Sequence, residues 1–324
     1  MKILFTSVGR RVELIQAFKD AAENLNVDLQ VYGADIDDTA PALAFCDRSV
    51  IVPKIKSSEY IPTLLDVCKK ESIDCLVPTI DTDLLVLSMK KKEFERNQTK
   101  VFISSEDKIR ICRNKNYTSD YFMSLGLNSP KTYNKVENYS EGFPAFIKPK
   151  DGSSSINAYR VDKIEDLIAF ADQIDDYIIQ KYIDGTEFTV DVFCDYNSNP
   201  IYITPRERIF VRAGEVLKTR ICQDKTIIDE VEIIIKNFKP VGPITIQLIK
   251  ENTTGKNFYI EINPRFGGGA PLSMKAGANS AEATIKILLG KQLVYEEFAA
   301  RHNEVYSRYD QSVCVKSGKA YENN

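Results

Sequence analysis

The residues best placed for chemistry lie on either side of position 255. Thr245-Ile246-Gln247-Leu248-Ile249 precedes Tyr259-Ile260-Glu261-Ile262-Asn263-Pro264-Arg265-Phe266-Gly267-Gly268-Gly269. Residues two apart on a strand point to one face, so Glu261, Asn263 and Arg265 share a side, with Gln247 expected on a neighbouring strand. Three oxygen donors, Gln247, Glu261 and Asn263, then sit among isoleucines, where uncompensated polar groups are costly. Hard Mg2+ takes such oxygens and completes its octahedron with phosphate and water. Arg265 adds a guanidinium suited to phosphoryl oxygens. The bland alternative, an acidic edge strand, leaves the alternation unexplained.

Three further stretches are each ambiguous alone. Lys148-Pro149-Lys150-Asp151-Gly152-Ser153-Ser154-Ser155 ends a strand on a lysine and enters a Gly/Ser loop. Backbone N–H groups and hydroxyls there could cradle phosphate, or the loop could be an ordinary surface hairpin. It is not a Walker loop, because no Gly-Lys-Ser/Thr closes it. In Ile179-Gln180-Lys181-Tyr182-Ile183-Asp184-Gly185-Thr186-Glu187 an extended backbone could read a base edge and Glu187 could accept ribose hydroxyls. Ser7-Val8-Gly9-Arg10-Arg11 sits between a strand and a helix, a natural anion site. It lacks the glycine fingerprint of dinucleotide folds, although Asp35 ends the second strand, so a plain turn, a dinucleotide and another anionic substrate all stay open. Arg206, Arg208, Arg212 and Arg220 precede the metal-type strands and suit an anionic substrate, with about half of such arginines expected to be surface charges. His302 lies in a polar stretch and is expected at the surface.

Together these motifs resemble the ATP-grasp superfamily, over residues 1 to about 290. The Gln247…Glu261-x-Asn263-x-Arg265 set is most similar to the carbamoyl-phosphate synthase large subunit and to short carbamoyl-phosphate synthase-like ATP-grasp proteins. The resemblance implies a pre-ATP-grasp α/β domain (1–106), a lid subdomain (107–182) and a C-terminal subdomain with the metal site and tail (183–324). It implies ATP between the last two. Lys115 and Lys148 would hold phosphates, Gly152, Ser153, Ser154 and Ser155 would cover them, Gln180 and the backbone of Lys181, Tyr182 and Ile183 would form the adenine hinge, and Glu187 would accept the ribose. Gln247, Glu261 and Asn263 would bind Mg2+, with Mn2+ as a substitute, and Arg265 would steady the transferred phosphoryl group. Arg10, Arg11, Arg206, Arg208 and Arg220 are the candidates for substrate. Two departures stand out. The chain has room for one ATP-grasp unit and shows no glutaminase features, and its loop is Ser-rich where many members are Gly-rich.

The implied activity is a carboxylate–amine ligase working through an acyl phosphate. Its partners would be a small carboxylic acid and an amine, and because many relatives are dimers the resemblance admits a homodimer. Rival readings are an enzyme that phosphorylates a carboxylate or carbamate without joining an amine, a non-catalytic nucleotide-binding module, and a dinucleotide-dependent oxidoreductase.

These side chains need a scaffold, and the sequence predicts one that is part α/β and part α+β. Apolar runs at Lys2–Thr6, Leu29–Ala34, Asp74–Val77 and Val101–Ile103 alternate with helical spacing at Val12–Leu25, Tyr60–Cys68 and Leu84–Met89. That rhythm predicts a parallel sheet covered by helices, with ligands beyond the strands' carboxyl ends. After about 105 come helices at 107–112 and 115–125, then strands at 157–161, 176–180, 242–249 and 257–262, the last two an antiparallel pair. Helices are predicted at 163–172, 226–237, 271–276 and 280–289. The Lys90-Lys91-Lys92 run reads as a solvated helix face.

The 324 residues fit about two domains or one composite unit. Their 43% hydrophobic content supports a large core and excludes global disorder. A net charge of −3 gives no sign of a nucleic-acid or polybasic membrane partner. One histidine argues against a His-based triad or multi-His metal site. Seven scattered cysteines without a C-x-x-C pair are neither a disulfide framework nor a zinc ribbon. With no signal-peptide pattern and no run near 18–20 apolar residues, the expected location is the cytoplasm.

Overall fold

The computed structural model describes residues 1–150 and 157–316. They form two compact units: Met1–Ile103 with Ala281–Gln292 and the segment from Tyr309, and Ser104–Ser280 with Leu293–Arg308.

The first unit alternates β1 (Lys2–Thr6), α1 (Val12–Asn24), β2 (Gln30–Asp35), β3 (Arg48–Ile51), α2 (Tyr60–Glu71), β4 (Cys75–Pro78), α3 (Asp81–Arg96) and β5 (Lys100–Val101). Its strands run parallel in the order β3-β2-β1-β4-β5. Ile3, Leu4 and Phe5 are fully buried, as the central strand of a two-sided parallel sheet requires. α1 buries Leu14, Ile15, Phe18, Ala21 and Ala22 at helical spacing, and Phe18 meets Phe5 edge-on at 4.9 Å. Strand order reverses about β1, so its carboxyl end is the sheet's switch point, and Ser7 to Arg11 follow directly from it.

The second unit contains α4 (Glu106–Arg113), α5 (Lys115–Ser124), β6 (Ala145–Pro149), β7 (Tyr159–Val161), α6 (Ile164–Ala171) and β8 (Tyr177–Lys181). It continues with β9 (Gly185–Cys194), β10 (Pro200–Arg212), β11 (Glu215–Ile221), α7 (Lys225–Phe238), β12 (Gly242–Glu251), β13 (Asn257–Asn263) and α8 (Ala270–Ala276). α9 (Ser280–Leu288) leads back to the first unit, and β14 (Val305–Ser307) pairs with β11. One sheet has the order β7-β6-β8, the other β13-β12-β9-β10-β11-β14.

The six-stranded sheet separates its two faces by residue type. α7, N-capped by Asp224, lays Ile227, Ile228, Val231, Ile234, Ile235 and Phe238 into a core with Val190, Val192, Ile244 and Ile246. Each such side chain contributes roughly 1.5–3 kcal/mol by burial. The residues between, Thr189, Asp191, Thr245 and Gln247, are polar and must point the other way. Cross-strand partners share a face, which gives two polar rows: Glu261, Gln247, Thr189 and Arg206, then Asn263, Thr245, Asp191 and Thr204.

The structure differs from the sequence reading in three places. β3 and β14 were not expected, because four and three residues are too few to show an alternation and become strands through pairing with β2 and β11. α3 runs Asp81–Arg96, well past the predicted apolar stretch, with Asp81 and Asp83 in its first turn where carboxylates complement the helix dipole. Lys91 is not simply solvated: its Nζ donates to the Ile103 carbonyl at 3.0 Å. Among the described residues no helix is long and apolar enough to cross a membrane.

Candidate active site

A cavity of about 240 Å3 lies in the second unit between its two sheets. β6 supplies Lys148, the start of α5 supplies Lys115, β9 supplies Glu187, and the paired strands β12 and β13 supply Gln247 and Glu261. Gln247 and Glu261 are direct register partners. Phe146, Ile183, Phe188, Leu248 and Ile260 give the cavity apolar walls. One end therefore suits a flat apolar group, and the cationic residues suit an anion.

Lys148 is electrostatically the most perturbed of these groups. Burial pushes its ammonium down to about 8, Glu261 pulls the other way, and Lys115 lowers it further. Lys115 Nζ donates to the Lys150 carbonyl at 3.1 Å. Asn263 Nδ2 donates to Glu261 Oε1 at 2.8 Å, which holds those two side chains together. Among the described residues no three His, Cys, Asp or Glu side chains gather to hold a metal. The donor set here is instead one carboxylate and two amides. It fits Mg2+ if phosphate and water supply the remaining oxygens, and it is a poor cage for a metal alone.

The other expected residues are placed as follows. Gln180 is 5% exposed and its Nε2 donates to the Pro130 carbonyl at 3.2 Å, so that amide group is already in use. The Tyr182 N–H donates to the Pro144 carbonyl at 3.1 Å. Gln180, Lys181, Tyr182 and Ile183 all line the cavity. Arg265 Nη1 donates to the Phe266 carbonyl at 3.1 Å, and the Arg265 carbonyl accepts from Thr245 Oγ1 at 3.1 Å. Gly152, Ser153, Ser154 and Ser155 lie outside the described residues.

The candidate substrate arginines scatter. Arg208 lines the cavity, with Nε 3.1 Å from Glu187 and Nη2 donating to the Gly214 carbonyl at 3.2 Å. Arg206 is buried, paired at 2.7 Å with Asp191 of the second polar row, and does not line the cavity. Arg220 is half exposed beside Glu207, and Arg212 is exposed. In the first unit, Arg10 is exposed and Arg11 Nη2 reaches the Thr79 carbonyl at 3.5 Å. His302 is exposed, as expected, and its Nδ1 accepts from the Gln223 N–H at 3.0 Å.

Sequence reasoning missed the apolar walls and two acids, the part-buried Asp191 and the buried Asp83. Asp191 could have been noticed as an acid on the same face of its strand as Thr189 and Glu187. Asp83, fully buried in the first turn of α3, accepts on one oxygen from Thr6, Ser7 and Tyr60 at 2.7, 3.1 and 3.2 Å. Burial raises its carboxyl to about 6 against those hydrogen bonds. It pins the segment that leads to Arg10 and Arg11, where Ser7 adopts a left-handed φ of 53°.

Comparison with known proteins agrees with this architecture. Residues 3–102 match the family described as PylC-like, N-terminal domain. Residues 173–310 match the family described as ATP-grasp in the biosynthetic pathway with Ter operon. The carbamoyl phosphate synthase large chain of Thermoanaerobacter pseudethanolicus is 28% identical over 221 residues, 61% of this chain and 20% of that one. The chain thus spans about a fifth of the length of the large chains it matches. Among solved structures, the L-amino acid ligase from Bacillus licheniformis superposes with a TM-score of 0.74 at 17% identity, covering 94% of this chain and 78% of that one. The biotin carboxylase domain of Hydrogenobacter thermophilus 2-oxoglutarate carboxylase, solved with Mg·ADP, ADP and bicarbonate, gives 0.73 at 16% identity over 94% and 73%. At those identities the structural likeness establishes the fold.

Proposed function

Because the chain carries an ATP-grasp domain, we propose that it is an ATP-dependent carboxylate–amine ligase that forms ADP through an acyl phosphate. The observation that carries the reading is the convergence of Lys115, Lys148, Glu187, Gln247 and Glu261 on one cavity with apolar walls. In this reading adenine lies against the apolar walls beside Gln180 and the backbone of Lys181, Tyr182 and Ile183, and Glu187 accepts the ribose hydroxyls. Lys115 and Lys148 neutralise phosphate charge. Gln247, Glu261 and Asn263 would hold Mg2+, or Mn2+ in its place, which when bound draws charge from the phosphate oxygens. The three-part division at 106 and 182, a cytoplasmic location and a homodimer belong to the same proposal.

The chemistry follows from what such a pocket can do. A carboxylate is a poor electrophile. One of its oxygens attacks the γ-phosphorus, the bond to the β–γ bridging oxygen breaks, and ADP leaves. An amine then attacks the acyl carbon, phosphate leaves, and the nitrogen loses a proton. The protein's part is to hold the reactants in line and neutralise charge, with Arg265 at the transferred phosphoryl group. No side-chain nucleophile is needed.

The test is incubation with Mg·ATP, hydroxylamine and a panel of carboxylic acids. Hydroxylamine intercepts an acyl phosphate without the natural amine. Acyl hydroxamate formed together with ADP is the expected result. Phosphorylated acid that accumulates when amines are offered would assign the phosphorylating alternative instead. A protein that binds no nucleotide would end the ATP reading.

A further inference from the structure

The turn that follows Arg265 rests on a buried polar cluster that the chemistry above does not use. Arg206, 1% exposed, sends Nε to Asp191 Oδ2 at 2.7 Å and Nη1 to Thr219 Oγ1 at 3.3 Å. Ser273, from α8, donates to the same Asp191 oxygen at 2.6 Å. The glycines between Arg265 and α8 let the backbone lie directly on this cluster. A Cβ on Gly269 would meet Arg206 Nη2 at 2.8 Å and Nη1 at 2.9 Å, and one on Gly267 would meet Thr245 Oγ1 at 2.9 Å. Asp191 Oδ1 is buried with no hydrogen-bond partner among the described residues. It borders a cavity of about 10 Å3 whose wall includes Thr204, Thr245, Ser273 and Ser280. That is space for about one water among several hydroxyls.

Burying an arginine and an aspartate is a poor route to stability, since an apolar pair of like volume would do as well or better. What this cluster provides is geometry. Asp191, on β9, sits in the row of Asn263 and Thr245, and Arg206, on β10, in the row of Glu261 and Gln247, so both are in register with the candidate metal donors on β12 and β13. Ser273 ties the far end of the glycine turn to the same carboxylate.

We infer that Arg206, Asp191 and Ser273 are positioning residues that fix segment 265–269, and through it Arg265, for phosphoryl transfer without contacting the nucleotide. The inference rests on the ATP-dependent reading above.

The measurement is the phosphorus-31 spectrum of the Mg2+ complex of the imido analogue of ATP bound to the full chain. In Ser273→Ala and Asp191→Asn the analogue binds within about threefold of wild type, its α and β resonances stay in place, and its γ resonance moves. Ser273→Thr, which keeps the hydroxyl, restores the wild-type γ resonance. A γ resonance unchanged in both variants overturns the inference. So does a loss of more than about tenfold in affinity with all three resonances displaced, because the cluster would then hold the whole pocket. If Asp191→Asn fails to fold, Ser273→Ala decides alone, since it removes one hydroxyl and no charge. Wild-type protein that does not bind the analogue removes the underlying ATP reading, and that is known before any variant is made.

Discussion

Lys148 offers the sharpest test of the pocket, because its charge opposes folding while favouring nucleotide. Its ammonium is lowered from 10.5 to about 8 by burial, with Lys115 adding to the effect. That displacement corresponds to about 3 kcal/mol of instability at neutral pH if fully expressed. The residue keeps some exposed surface at the cavity wall, and water there screens the charge, so roughly 1–2 kcal/mol is the better figure. Lys148→Met keeps an unbranched side chain one atom shorter and removes the charge. The unliganded variant should therefore melt higher than wild type. It should also lose a charge-assisted contact to phosphate worth roughly 1.5–3 kcal/mol, or about 10- to 150-fold in Kd.

The linkage sign is fixed by the same displacement. The folded value lies below the unfolded one, so the instability is present below about pH 8 and fades as pH rises through that value. Bound phosphates favour the charged form, so above about pH 8 nucleotide binding must take up a proton. Calorimetric titration with Mg·ADP in buffers of different ionisation heat reads that proton, and differential scanning fluorimetry reads the melting points. Lower stability in Lys148→Met, or the same proton uptake in variant and wild type, would refute the reasoning.

Glu261→Ala removes the one carboxylate of the candidate metal set. It should abolish Mg2+-dependent turnover while far-UV circular dichroism stays as in wild type; wild-type turnover would sink the metal assignment. EDTA should remove most of the stabilisation that Mg·ADP gives wild type and little of what it gives Glu261→Ala, as thermal shifts will report. Asp83 tests the first unit. Its folded value of about 6 lies above the unfolded 3.8, so wild type gains stability as pH falls from 7 toward 4, by up to about 3 kcal/mol. Asp83→Asn should flatten that slope in urea titrations across the range, and an unchanged slope would falsify the assignment of the titration to Asp83.

What the sequence disclosed depended on how local the signal was. The pairing of Gln247 with Glu261 was legible because both strands alternate with period two and are joined by a short polar connection. The helix α7 was legible at 226–237 from local sequence alone. Arg206 and Arg208 are two apart on β10, and nothing in that spacing says that Asp191 takes up the first while Glu187 lies beside the second. Those partners come from β9 and meet the arginines only in the folded sheet. Gln180 lines the cavity, but its side-chain partner, the Pro130 carbonyl fifty positions away in the chain, was illegible for the same reason. Asp83 carries no signal of its own in the sequence, and only the packing of Thr6, Ser7 and Tyr60 around it reveals a buried titrating group.

The interleaving of the two units bears on how the chain is made. The first unit draws on Met1–Ile103, Ala281–Gln292 and the segment from Tyr309, so no single cut separates it from the second. During synthesis at about 5–20 residues per second, the five parallel strands emerge well before α9, the helix that belongs with them. For that interval the first unit lacks one of its own segments, while the second unit is translated in between. A ribosome-bound chain stopped before α9 should accordingly depend on holding chaperones more than one stopped after it.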